Sequence, residues 1–142
     1  MPEPTPSLTL ALLQGREAAM GFFRPLLNQH GITEQQWRVI RILKQVPEYT
    51  LESYRLAELA CIPRPSLTGV LMRLERDGYL RRWKPENDQR RLCITLADEA
   101  HQLFDAMSDE INRQYRTIRE QLGGEDYQTL MGLLERLRRI QP

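Results

Sequence analysis

The stretch Cys61-Ile62-Pro63-Arg64-Pro65 limits what this chain can fold into more than any other. Pro63 lacks an N–H and pushes Ile62 out of the α region, so a helix arriving from Leu51 ends before it. Pro65 suits the first turn of a new helix, because its φ is preset and its missing donor has no partner there anyway. Two helices therefore meet across a tight turn. The incoming one, Leu51 to Ala60, offers Leu56, Ala57, Leu59 and Ala60 as its apolar face. The outgoing one repeats Leu67, Val70, Leu71 and Leu74 at helical spacing and stops at Gly78. Its other face carries Ser66, Thr68, Arg73 and Arg76, short hydrogen-bonding groups and long cations suited to a groove. Tyr79 to Trp83 and Leu92 to Leu96 then read as two short strands. Between them lies the turn-rich, charged segment Lys84-Pro85-Glu86-Asn87-Asp88-Gln89-Arg90-Arg91. Helix, turn, helix, strand, basic loop, strand is the order of a winged helix-turn-helix. Double-stranded DNA is the partner this order implies.

Charge enters through its distribution. The chain of 142 residues carries a formal net charge of only +1, so overall basicity is no argument. From Arg64 to Arg91, however, eight cations (Arg64, Arg73, Arg76, Arg81, Arg82, Lys84, Arg90, Arg91) face four anions (Glu75, Asp77, Glu86, Asp88). That segment is +4, and the remainder is +1 minus +4, or −3. A locally basic face on a near-neutral chain suits phosphate attraction, which is strong and short-ranged. A merely solvated surface would scatter its cations. The expected DNA contacts are Arg64, Ser66, Thr68 and Arg73 on the second helix, with Lys84, Asn87, Gln89, Arg90 and Arg91 in the wing.

The length fits one domain, or one domain with a helical extension. Cys61 and Cys93 make no disulfide framework, and no signal peptide or spanning segment is read, so a reduced cytoplasm and no membrane are expected. His30 and His101 give no metal-ligand spacing with those cysteines, so neither metal nor cofactor is expected. No phosphate-cradling glycine loop, nucleophile elbow or paired-carboxylate motif is present, which speaks against an enzyme.

Residues 1 to 6 hold three prolines and read as an extended arm. Ser7 can cap a helix with Leu8, Ala11, Leu12, Ala18, Ala19, Phe22, Phe23, Leu26 and Leu27 as apolar positions, and Pro25 implies a kink or break within it. Thr33 with Gln36 is a capping box opening a helix that bears Trp37, Ile40 and Leu43 and stops near Val46-Pro47. A long helix runs from Asp98 to Leu122, with apolar residues from Ala100 through Met107 and Ile111 to Leu122. Gly123-Gly124 breaks it, and a last helix carries Tyr127, Leu130, Met131, Leu134, Leu137 and Ile140. These flanking helices hold more apolar surface than a winged domain can cover. Pairing with a second copy gives a two-fold homodimer, which also matches palindromic DNA. The alternative is that they fold back on their own winged unit.

The fold expected is mainly α with a small β wing, a winged helix-turn-helix flanked by N- and C-terminal dimerisation helices. Three segments follow: 1–46, arm and helices for dimerisation and an effector pocket; 47–96, the DNA-binding lobe; 97–142, C-terminal dimerisation helices.

This pattern resembles the MarR family of bacterial transcription regulators over nearly the whole chain. The most specific element is the wing signature Asp88-Gln89-Arg90 followed by a strand ending at Leu96. Where the family continues with Thr and then Gly, this chain has Ala97 and Ala100, and Asp98 takes over the capping of the long helix. Four stretches, residues 12–18, 33–38, 60–69 and 84–91, are similar to regulators of 4-hydroxyphenylacetate (homoprotocatechuate) degradation. The resemblance implies a dimeric repressor that releases its palindromic operator when a small phenolic or aromatic carboxylate binds, in a pocket between the dimerisation helices and the DNA-binding lobe. Trp37 and Arg41, four apart, place a flat apolar wall beside a cation on one helix face, and arginine suits bidentate carboxylate contact. Tyr115 can meet a carboxylate or ring hydroxyl, Phe23 can close the apolar side, and Ser7 and Glu34 can add polar contacts.

Each of these residues has a plainer reading. Phe23, Trp37 and Tyr115 at helical spacing are ordinary core residues, and Arg41 can pair with an acid on a neighbouring helix. Both cysteines read as packing residues and not as oxidant sensors. The alternatives in function are a regulator of this type sensing another aromatic acid or an oxidant, and a winged helix used for protein contact.

Overall fold

Ser7, extended at φ −65° and ψ 163°, accepts from Leu10 N–H and starts α1 (Leu8–Met20) in the computed structural model, which describes residues 2–142. The first helical pattern is cut at Gly21-Phe22-Phe23, so the break falls before Pro25, which occupies the first turn of α2 (Arg24–Gln29). The capping box at Thr33 forms as read: Thr33 Oγ1 accepts from Gln36 N at 3.1 Å, and Gln36 Oε1 accepts from Thr33 N at 3.0 Å. It opens α3 (Glu34–Lys44). A turn at Pro47–Tyr49 follows, with Glu48 and Tyr49 both left-handed at φ 56° and 53°.

The helix expected from Leu51 starts later. Thr50–Glu52 is a strand, β1, and α4 runs Ser53–Ala60. Three residues are too few to show alternation, and β1 takes its register from a distant segment: Thr50, Leu51 and Glu52 pair with Thr95, Ile94 and Cys93. Leu59, assigned to the apolar face of α4, is instead 39% exposed. Cys61 ends α4 in the left-handed region at φ 53°, and Pro63 precedes α5 (Arg64–Arg76) with Pro65 in its first turn. Gly78, at φ 84°, turns the chain into β2 (Leu80–Trp83), which pairs antiparallel with β3 (Cys93–Leu96). The sheet order is β1-β3-β2, so the wing hairpin has a third strand that the sequence did not reveal. Asp98 is the first residue of α6 (Asp98–Leu122). Its carboxylate and that of Glu99 sit in the first turn, where negative charge favours the positive end of the helix. Gly123 at φ 97° separates α6 from α7 (Gly124–Arg138).

The chain divides into two compact units, residues 24–108 and residues 1–23 with 109–142. In the central unit Val39, Ile40 and Leu43 of α3, Leu56 of α4, Leu67 and Leu74 of α5 and Ile94 of β3 are almost wholly buried. The terminal unit differs. Neither α1 nor α7 has a buried residue, and both expose large apolar side chains: Leu8, Leu10, Leu12 and Leu13 on one, Leu130, Met131 and Leu133 on the other. No helix among the described residues is long and apolar enough to cross a membrane.

Candidate functional site

Helix α5 sorts its side chains by face. Leu67, Val70, Leu71 and Leu74 are buried, while Arg64, Ser66, Thr68, Met72, Arg73 and Arg76 are exposed. Hydrophobic burial of the first set therefore aims the second at solvent. Arg64 lies over the Tyr54 ring at 5.9 Å, and Thr68 Oγ1 donates to Arg64 O at 3.3 Å, which leaves its hydroxyl oxygen able to accept. Arg73 passes alongside Gly69, where an added Cβ would lie 3.5 Å from Nη1.

The wing tip is organised by Asp88. Its Oδ1 accepts from Arg90 N and from Arg90 Nε, each at 3.1 Å, an Asx-type turn reinforced by a charge. The guanidinium of Arg90, then its backbone N–H, holds the Asp88 carboxyl below the usual carboxylate range. Gln89 Nε2 donates to Pro85 O at 2.8 Å and closes the loop from the other side. Arg90 nevertheless keeps 92% of its side chain exposed, so a cation is held at the tip without being buried. Lys84, Asn87, Gln89 and Arg91 are exposed as well.

Two ion pairs that sequence reasoning missed fix the wing to the rest of the lobe. Arg91 pairs with Glu52 of β1, and Ser53 N donates to Leu92 O at 2.9 Å nearby. Arg82 of β2 donates from Nε and Nη2 to Glu75 Oε1 at 3.1 and 2.9 Å, and its backbone N donates to Glu75 Oε2 at 3.0 Å. Arg82 was counted as part of the basic face, yet it is half-buried and braces α5 against the wing. Neither pair left a signal in the pattern, because the partners lie 7 and 39 residues apart on different elements.

The bonds from the Arg82 side chain, then from its backbone N–H, hold the Glu75 carboxyl below its ordinary value of 4.5. A carboxylate depressed in the folded state stabilises above its unfolded value and loses that contribution as pH falls through the folded one. Glu75→Gln should therefore cost about 0.5 to 1 kcal/mol near pH 7, a figure kept small because the pair is partly solvated. Urea midpoints of parent and variant should converge as pH is lowered well below 4.5. A gap that persists unchanged to pH 3 contradicts this assignment.

The residues expected around an effector fall into two groups. In the terminal unit Ser7 caps α1, and the rings of Phe23 and Tyr115 meet at 4.7 Å, with Phe23 buried and Tyr115 half-buried. In the central unit Glu34, Trp37 and Arg41 follow one another at helical spacing on α3. Trp37 is buried and stacks on Phe104 at 5.5 Å and 13°. Arg41 is half-buried one turn later. Glu34 holds Arg38 through both oxygens, at 3.0 and 2.5 Å.

Comparison with known proteins follows the same lines. Residues 32–92 match the MarR family profile. The homoprotocatechuate degradative operon repressor of Escherichia coli is 51% identical over 129 residues, which cover 91% of this chain and 86% of that protein. The crystal structure of the transcriptional regulator PA4135 superposes with a TM-score of 0.91 at 57% identity, over 97% of this chain and 100% of that one. The crystal structure of NadR in complex with 4-hydroxyphenylacetate gives a TM-score of 0.83 at 45% identity, over 99% of this chain and 100% of that one.

Proposed function

This chain belongs to the MarR family, and on that premise we propose that it is a dimeric repressor that leaves its operator when a small phenolic or aromatic carboxylate binds. It is a DNA-binding transcription regulator and not an enzyme, working in the cytoplasm. The observation that carries the reading is the two-faced α5, polar and cationic outward, beside a wing whose tip presents Arg90. Residues 47–96 read DNA, and 1–46 with 97–142 supply dimerisation and the effector pocket. Helix α5 enters the major groove with Ser66, Thr68 and Arg73, with Arg64 at its start, while Lys84, Asn87, Gln89, Arg90 and Arg91 serve the wing. Arg90 reaches the adjacent minor groove.

Arg90→Ala should weaken binding to every duplex and to A·T-flanked sites most, because narrow minor grooves attract arginine. Fluorescence anisotropy at moderate salt, on the palindromic duplex the protein selects from a random pool, measures the loss. Equal affinity for variant and parent contradicts the wing assignment.

A second copy of the chain covers α1 and α7. The large apolar residues that these helices expose are open by 39% (Leu12) to 62% (Leu8), and burying what remains of each is worth on the order of 1 kcal/mol. Summed over both copies, that stands against an association cost of about 4 to 15 kcal/mol. The effector is an aromatic acid such as 4-hydroxyphenylacetate, the ligand in the NadR crystal structure. Its carboxylate meets Arg41, its ring lies against Trp37, and Glu34 adds a polar contact, all three on α3.

A further inference from the structure

We propose that Arg38 is a positioning residue for DNA reading: it ties α3 to the turn that launches α5, and Glu34 sets its aim. Arg38 Nη1 donates to the carbonyl of Ala60, the last residue of α4, at 2.6 Å. Its Nε and Nη2 donate to the two oxygens of Glu34 at 3.0 and 2.5 Å, and both side chains are only 26% exposed. One planar fork is thus shared between a carboxylate on its own helix and a carbonyl 22 residues away.

Ala60 is where support matters. The last carbonyls of a helix have no intrahelical partners. Here the turn closes two of them itself, Cys61 N donating to Glu58 O and Ile62 N to Ala57 O, both at 3.2 Å. The Ala60 carbonyl goes to another helix, where a cation also meets the negative end of the α4 dipole. The next residue, Cys61, sits at φ 53°, a region that non-glycine side chains seldom adopt. Three residues separate Ala60 from Arg64, where α5 begins. A shift of the Ala60 carbonyl therefore reaches the first turn of α5 with little slack.

A lysine would keep the charge but not the fork, since its single ammonium cannot reproduce a planar three-donor arrangement. Glu34 adds a regulatory consequence, which rests on the effector reading above. A ligand hydroxyl that donates to Glu34 competes with Arg38 for it, and re-aims the guanidinium that holds the α5 turn.

The test compares parent, Arg38→Lys, Glu34→Gln and the double variant, first without any effector. Arg38→Lys should bind the selected palindrome about tenfold more weakly, the scale of one charged hydrogen bond. Its affinity for a random duplex of equal length should stay within about twofold, because phosphate attraction depends on charge and the charge is kept. Amide exchange should quicken over residues 60–64 and not elsewhere in α3 to α5. The double variant should be no weaker than Arg38→Lys, since the two side chains act as one unit. Palindrome affinity within twofold of parent, equal losses on both duplexes, or additive losses in the double variant would overturn the proposal. A second arm adds 4-hydroxyphenylacetate: the parent should release the palindrome and Arg38→Lys should respond less. A parent that ignores the acid overturns the effector reading alone, and the effector-free arm then decides the role of Arg38.

Discussion

Ending the chain at Gly123 is expected to lower operator affinity by about a thousandfold or more, close to the gap that separates specific from non-specific DNA binding. The cut removes α7 and with it Leu130, Met131, Leu133 and Ile140, side chains that the protomer leaves largely exposed. In a two-fold dimer the recognition helices sit about one helical turn of DNA apart, roughly 34 Å, and a palindrome is read only if both are present. A monomer keeps one half-site and loses the gain of holding the second. The truncated protein should therefore run as monomer or aggregate in light scattering, with anisotropy reporting only weak, salt-sensitive binding. A soluble truncated protein that grips the palindrome with parental affinity removes the dimer from the account.

Arg41→Ala should weaken 4-hydroxyphenylacetate binding by about ten- to a hundredfold, the range of a hydrogen bond to a charged group. The side chain is half-buried on α3, one turn after the buried Trp37. Partial burial strengthens the pairing with a carboxylate relative to a fully solvated pair. Operator affinity without effector should stay within about twofold, because Arg41 is neither one of the proposed DNA contacts on α5 and the wing nor the residue that bonds the Ala60 carbonyl, which is Arg38. Calorimetry and duplex anisotropy on the same preparation separate the two. An unchanged dissociation constant for the acid would show that the pocket is drawn wrongly.

What could be read from sequence was what neighbours in sequence decide. The Thr33–Gln36 box, the prolines at 63 and 65, Gly78 and the span of α6 all rest on contacts or preferences within a few residues, and each appears where the pattern put it. The outward set of α5 was legible because burial at Leu67, Val70, Leu71 and Leu74 fixes the opposite face. Strand β1 was not, because its three residues owe their conformation to β3, more than forty residues later. Leu59 was misplaced because an eight-residue helix offers too few turns to define a face from composition. The braces Glu75–Arg82, Glu52–Arg91 and Arg38–Ala60 join separate elements, so periodicity is blind to them. Arg82 shows the consequence: a cation that sequence assigns to phosphate attraction spends its donors on its own fold.

Repression and release require that one acid and one duplex oppose each other on the same protein. Titrating the anisotropy of the protein-bound palindrome with 4-hydroxyphenylacetate, and then calorimetry of the acid with and without the palindrome, measures that opposition from both sides. The account predicts release of the duplex, with each ligand weakening the other by the same factor of about 5 to 150, since coupling between two binding equilibria is reciprocal. A duplex that stays bound at millimolar acid, or an acid that binds equally well with and without DNA, would contradict it.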